Sequence, residues 1–407
     1  MADMNEQAHG RTADEAADSG DGQRDEDDAP TLRRLAAWRQ AGRTLHRSPL
    51  DRSLGEQLEV LAAEAGTVTD LDRPGDIYGN GVVTELEQRI AEVLGTEAAA
   101  FFPTGTMAQQ VALRCWAGRT GSPTVALHPL AHPEAHERGA LGAVSGLRTV
   151  HPTSAPRLPT ADEIRDFEEP FGTLMLELPL RDAGFVLPTW EELEAVVAAA
   201  RERDAVVHFD GARLWECTTR FGRELPEIVA LADSVYVSFY KTLGGISGAA
   251  LAGSASLIDE ARTWRHRYGG QLFQQFPAAL SALSGLDREL PKLPSYVAQA
   301  RLVAAALAEG FAESATGWSR VHPEPPHTHQ FQVWLPYGAD VLTEAAVRQA
   351  EETGVSLFRS WYPAPAAPPG LSLTEVTVGA EGLEWTAADV KAALDEFLKR
   401  VAEGIRR

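Results

Sequence analysis

Two cysteines in 407 residues, Cys115 and Cys217, are too few for a disulfide framework and lack metal-ligand spacing, so both are expected to pack as small hydrophobes. Positive charge is scarce as well. There are 37 Lys and Arg against 58 Asp and Glu, and the basic residues are scattered instead of forming a stripe, so the electrostatic footprint of a phosphate-backbone binder is absent. Nucleic acid is set aside as a partner. No run approaches the roughly 18 apolar residues of a membrane span, and the N-terminus lacks the basic-then-apolar order of a signal peptide. The expectation is no membrane partner and a cytoplasmic location. From Met1 to Pro30, aromatic and branched aliphatic residues are missing altogether. Such a segment cannot offset its ordering entropy by burial and reads as a disordered acidic tail, with a purification tag or a partner-binding segment as the other readings.

What the chain does have is periodicity. Leu32, Leu35 and Trp38, then Leu54, Leu58 and Leu61, recur at helical spacing and predict two helices over 31–75 that lean on the main body. From Asp76 onward, short apolar runs alternate with amphipathic stretches, the rhythm of an α/β fold around a mainly parallel sheet. Strands are expected at Ala98 to Phe102, Thr124 to Leu127, Thr173 to Glu177, Val206 to Asp210, Val235 to Phe239 and Ala249 to Ala252. Thr189 with Glu192 forms a capping box ahead of the stripe Leu193, Val196 and Val197, which marks a helix start. Further on, His329 to Leu335 alternates like a half-buried strand, and Pro363 to Gly370 is a proline-rich loop before a strand over Leu371 to Val378. The organisation expected is a large α/β domain over 76–290 and a small C-terminal α+β domain over 291–407.

The chemistry gathers at strand ends. His208-Phe209-Asp210-Gly211-Ala212-Arg213 closes one apolar run, and Ser238-Phe239-Tyr240-Lys241-Thr242-Leu243-Gly244-Gly245 closes the next. In open α/β sheets, ligands collect at the carboxyl ends of the strands. A lysine amine there can form a Schiff base with pyridoxal phosphate, and an aspartate can keep the pyridine nitrogen protonated so that the ring accepts electrons. Taken singly, such residues are a solvated strand end and a turn. A third strand runs into Pro103-Thr104-Gly105-Thr106, where Gly105 lets backbone N–H groups approach an anion and the next helix adds its dipole. Alone, this is a helix cap; on the same sheet edge, it is a phosphate cradle. Ser238, three residues before Lys241, either reaches the same phosphate or bonds to backbone as an ordinary strand serine. His128, His132 and His136 are spaced by four, but Pro129 and Pro133 break the helix that would turn them toward a metal. No metal is expected. His132 is the candidate to stack on a flat cofactor, with a structural histidine as the alternative.

These residues resemble the threonine aldolase and β-eliminating lyase family, pyridoxal phosphate enzymes of fold type I. The resemblance runs from about 76 to 270. It rests on Asp76-Ile77-Tyr78-Gly79, Thr104-Gly105-Thr106-Met107-Ala108, His132, Glu177, Val186-Leu187-Pro188, Asp210-Gly211-Ala212-Arg213-Leu214-Trp215, Lys241 with Leu243-Gly244, and Leu251-Ala252-Gly253-Ser254. It implies an aspartate aminotransferase-like fold with helices on both faces of the sheet, and pyridoxal 5′-phosphate bound through Lys241. Asp210 is implied at the pyridine nitrogen, Gly105 and Thr106 at the phosphate, His132 over the ring, and Arg213 and Tyr78 on the side of an amino acid substrate. It further implies a homodimer or homotetramer with active sites completed across the dimer interface. The implied reaction cleaves the Cα–Cβ bond of a β-hydroxy-α-amino acid to glycine and an aldehyde.

The departures are as informative. The family's Glu-Asn-Thr-His-Asn becomes Glu177-Leu178-Pro179-Leu180-Arg181, which removes a histidine placed near the substrate hydroxyl. Tyr240 replaces a serine before the lysine, and Gly269-Gly270-Gln271-Leu272-Phe273 lacks the phosphate-binding arginine supplied by a neighbouring subunit. A substrate arginine near Leu371-Ser372-Leu373-Thr374-Glu375 is also gone, and Arg359 is the candidate to replace it, with a surface arginine as the alternative. The base is left open among His132, His136, Tyr240 and a water. Tyr240, Phe273, Trp361 and Tyr362 are candidates to shape a pocket for a bulky side chain. Two rivals remain: another reaction at Cα, such as β-elimination, decarboxylation, racemisation or transamination, and a non-catalytic binding protein on the same fold.

Overall fold

The computed structural model describes residues 28–364 and 369–406. The acidic tail thus lies outside the described residues up to 27, and its last three residues already belong to a helix. Two compact units divide the chain: Ser53–Pro294, and the residues up to Arg52 together with Ser295 onward. The N-terminal segment, expected as two helices that lean on the main body, is divided between them. α1 (Asp28–Gln40) and β1 (Arg43–Thr44) belong to the unit that contains the C-terminus, whereas α2 (Leu54–Val68) belongs to the larger one. Ala37, Trp38 and Ala41 of this stretch bury against Val347 and Ala350 on the helix Ala339–Thr353, and Arg33 pairs with Glu344 and Glu351.

In the larger unit, β2 (Ala98–Phe102), β3 (Thr124–Ala126), β4 (Arg148–Val150), β5 (Thr173–Glu177), β6 (Val206–Gly211), β7 (Ser234–Ser238) and β8 (Ala249–Gly253) form one sheet. Their order is β2-β8-β7-β6-β5-β3-β4, and every pairing is parallel except the two made by β8. All five residues of β5 are buried, which is why it reads as a continuous apolar run and not as an alternation. The short edge strand β4 begins on an exposed arginine and gives no such signal. α3 (Val82–Leu94) and α4 (Gly105–Thr120) follow α2, and α4 lies on the sheet with Val111, Ala112, Cys115 and Trp116 packed into a core with Tyr236 and Leu251. Both cysteines are buried and free. At the helix Trp190–Glu202, the Thr189 hydroxyl accepts from the Glu192 N–H at 3.2 Å and the Glu192 carboxylate accepts from the Thr189 N–H at 2.8 Å. The reciprocal cap is worth about 1 kcal/mol.

The other unit holds an antiparallel sheet of β9 (Arg320–His322), β10 (Gln330–Leu335), β12 (Tyr362–Pro363) and β13 (Ser372–Thr377), in the order β12-β13-β10-β9, while β1 pairs with β11 (Val355–Ser356). Residues 365–368 of the proline-rich loop lie outside the described residues. Trp361, expected to help shape a substrate pocket, is a core residue here: it is 3% exposed and stacks on Phe397 at 5.9 Å. Arg359, expected at a substrate carboxylate, is paired with a protein carboxylate in this structure. Its two terminal nitrogens donate to Asp51 at 3.1 and 2.5 Å, and one also donates to the His46 carbonyl at 3.0 Å. Asp51 is buried, and a carboxylate out of water needs a fixed cation. Among the described residues no helix is long and apolar enough to cross a membrane.

Candidate active site

The site is built at one edge of the large sheet, where successive strands deliver side chains to the same level. β2 leads through Pro103 to Thr104, whose hydroxyl accepts from the Met107 N–H at 3.2 Å and so caps α4. Gly105 opens that helix against the side chain of Tyr236, and a β-carbon at Gly105 would overlap the Tyr236 hydroxyl. Only glycine fits without displacement. β6 carries His208 and Asp210 on one face because they are two residues apart, and β7 sets Tyr236 directly beside Asp210. Lys241 follows three residues after Ser238, the end of β7.

A cavity of about 350 Å³ opens among these ends. Its lining includes Thr104, Gly105, Thr106, Gln109, His132, Glu137, Asp210, Tyr236, Tyr240 and Lys241. Of the expected site residues, Gly105, Thr106, His132, Asp210 and Lys241 are therefore brought together. Ser238 is fully buried at the end of β7, and its hydroxyl has no partner among the described residues. Arg213 is buried and sits over the Phe185 ring at 5.4 Å, and Tyr78 is half exposed and packs edge-on to Phe273 at 5.5 Å. Neither is part of the described lining.

Hydrogen bonds fix the acid and base groups. The Asp210 carboxylate accepts from the Ala212 N–H at 3.1 Å. Burial raises its pKa, against the opposing pull of Lys241 and His132. His132 Nδ1 lies 3.1 Å from Glu137 Oε1, and its backbone N–H donates to Glu177 at 2.7 Å. His136 Nε2 is 2.7 Å from Asp182, and its ring centre is 5.3 Å from that of His132. His128 bonds the Ala155 carbonyl and the Leu130 N–H, away from the other two. Beneath the cavity, His208 bridges Ser234 and Gln109 at 2.7 Å each, and burial pushes its pKa down to about 3, so it is neutral.

Glu177 is buried, and burial, with the nearby Asp210 and Asp182 charges, pushes its carboxyl up to about 8 from the usual 4.5. The folded protein thus holds a proton that the unfolded chain releases near 4.5, so its stability is greatest below that pH and declines as pH rises toward 8. Glu177→Gln is expected to flatten the decline, which is at most ~1.4 kcal/mol per pH unit for one group. Denaturant unfolding of the cofactor-free protein at pH 6.5, 7 and 8 measures it. Equal slopes in both proteins would remove the proton from Glu177.

Tyr236, Gln109, Glu137, Asp182 and His208 were not singled out from the sequence. The signal was present for two of them: His208 is two residues before Asp210 on its strand, and Gln109 is one helical turn after Gly105.

The fit to pyridoxal phosphate rests on this donor set. A lysine amine, a buried carboxylate, a ring from His132, a helix start that admits only glycine, and a buried serine hydroxyl without a partner match its aldehyde, pyridine nitrogen, flat ring and phosphate.

Comparison with known proteins agrees. A family model described as Beta-eliminating lyase matches residues 74–319. Low-specificity L-threonine aldolase 1 of Arabidopsis thaliana is 29% identical over 300 residues, which cover 70% of this chain and 80% of that protein. Low specificity L-threonine aldolase of Escherichia coli K12 is 33% identical over 226 residues, 54% of this chain and 67% of that one. A crystal structure from Listeria monocytogenes EGD-E, provisionally designated an L-allo-threonine aldolase, superposes with a TM-score of 0.79 at 35% identity over 92% of this chain and 99% of its own.

Proposed function

As this chain belongs to the β-eliminating lyase family, we propose that it cleaves the Cα–Cβ bond of a β-hydroxy-α-amino acid to glycine and an aldehyde, with pyridoxal 5′-phosphate as cofactor. The observation that carries the reading is the single cavity shared by Lys241, Asp210, His132 and the start of α4. When bound, the cofactor supplies a sink for the electron pair released at Cα. Lys241 would hold the cofactor through its amine. Asp210, buried from water, would accept a hydrogen bond from the protonated pyridine nitrogen. The start of α4, Thr106 and Ser238 would hold the phosphate. Glu137 accepts from His132 Nδ1 and makes Nε2 the basic nitrogen of a ring that lines the cavity. Arg213 and Tyr78 are assigned to the substrate side, and the assembly to a homodimer or homotetramer in the cytoplasm.

A second reading keeps the cofactor and changes the bond broken. It is favoured by Leu180, fully buried, which puts an aliphatic group where the resemblance expects a histidine beside the substrate hydroxyl.

Product analysis by mass spectrometry separates the two. Cofactor-loaded protein, incubated with small and aromatic β-hydroxy amino acids, is expected to give glycine and the matching aldehyde, with none from Lys241→Ala. A keto acid, an amine or a racemised substrate in their place would select the second reading.

A further inference from the structure

Tyr236 was not anticipated, and no role has yet been given to its hydroxyl. β7 sets it beside Asp210, and it reaches past the sheet to the first residue of α4, so closely that glycine is required there. The same side chain lines the cavity.

The charge balance of the cavity makes this position informative. Among the described lining residues, Lys241 is the sole lysine or arginine, and its amine is committed to the cofactor carbonyl. A phosphate here must therefore be met by neutral donors: the free N–H groups of α4, with their dipole, and hydroxyls.

A second observation points to an acceptor in this cavity. The Trp116 indole N–H donates to Ser234 Oγ at 2.8 Å, and His208 Nδ1 lies 2.7 Å from the same oxygen. Neutral His208 carries one ring proton, and its Nε2 lies 2.7 Å from Gln109 Oε1. At the end of this network the Gln109 amide nitrogen belongs to a 1% exposed side chain of a cavity-lining residue and has no partner among the described residues. A buried donor without an acceptor is costly unless a ligand completes it.

We propose that the Tyr236 hydroxyl is a cofactor-binding group that donates a hydrogen bond to the phosphate seated at the start of α4. The inference rests on the pyridoxal phosphate reading above and adds a residue to it. Burial keeps the phenol protonated far above the usual range, so the donor is present at every working pH.

The test compares pyridoxal 5′-phosphate with pyridoxal, which lacks the phosphate, as ligands of cofactor-free wild type and Tyr236→Phe, with Schiff-base absorbance as the readout. Loss of one hydrogen bond to a charged group lowers affinity about tenfold or more. The phosphorylated ligand is expected to lose that factor while pyridoxal changes by less than about twofold. Inorganic phosphate, used as a competitor, gives a second measure, and its inhibition constant is expected to rise by the same factor. Equal losses for both ligands would assign Tyr236 to the ring or to Asp210 and overturn the proposal, as would no loss for either. If wild type forms no Schiff base with either ligand, the cofactor reading itself fails, an outcome separate from any difference between the two proteins.

Discussion

Asp210→Asn is expected to fold, to take up pyridoxal phosphate at Lys241, and to turn over substrate about a thousandfold more slowly. The carboxylate is 1% exposed, and the hydrogen bond it accepts from the Ala212 N–H is one that an asparagine oxygen still accepts. What changes is the charge opposite the pyridine nitrogen. Breaking one half of a buried ion pair costs about 3–5 kcal/mol, and each ~1.4 kcal/mol is a factor of ten in rate. The loss should fall on kcat, because the negative charge matters most when the ring holds the extra electron pair. A second readout comes from Glu177, whose carboxyl is held up at about 8 partly by Asp210. Without that neighbour its proton is released at lower pH, and the stability decline of the cofactor-free protein ends earlier. A kcat within about tenfold of wild type would mean that Asp210 does not face the nitrogen.

Why the sequence revealed so much of this site, and missed the rest, follows from how each residue is held. Asp210 and Lys241 end apolar runs, and strand ends can be read from the runs themselves. Thr104 and Gly105 lie where a strand turns into a helix, a junction with its own residue preferences. Tyr236 and His208 lie inside strands, where an apolar run hides a polar side chain and only the two-residue period distinguishes its face. Their partners, Gly105 and Gln109, come from α4, more than ninety residues earlier, so no local pattern links them. Arg359 and Trp361 were hard to place from the sequence for the opposite reason. Their chemistry suits a ligand, but Asp51 and Phe397 claim them through contacts distant in sequence. The split of the N-terminal segment is of the same kind: the helical spacing in α1 shows that it has an apolar face but not which surface covers it.

The remaining large effect concerns that junction. Gly105→Ala is expected to weaken pyridoxal phosphate binding by about tenfold to a hundredfold, although alanine is a better helix former than glycine. The gain in helix propensity is about 1 kcal/mol and applies to a helix interior, whereas Gly105 is the first residue of α4. Against it, the new β-carbon overlaps the Tyr236 hydroxyl and comes within 2.8 Å of the ring carbon that carries it, so either the ring or the helix start must shift. Overpacking of this kind costs about 1–3 kcal/mol. A shift of the helix start moves the N–H groups that face the phosphate, so part of the cost appears as lost affinity as well as lost stability. The double variant Gly105→Ala, Tyr236→Phe removes the overlapping oxygen but leaves the ring carbon. Its unfolding midpoint should therefore recover part of the way toward wild type, a non-additivity expected only if the two side chains are in contact. Strictly additive losses would mean that Gly105 and Tyr236 act separately. Full cofactor affinity in Gly105→Ala would mean that Tyr236 yields freely and that the cradle does not depend on the missing β-carbon.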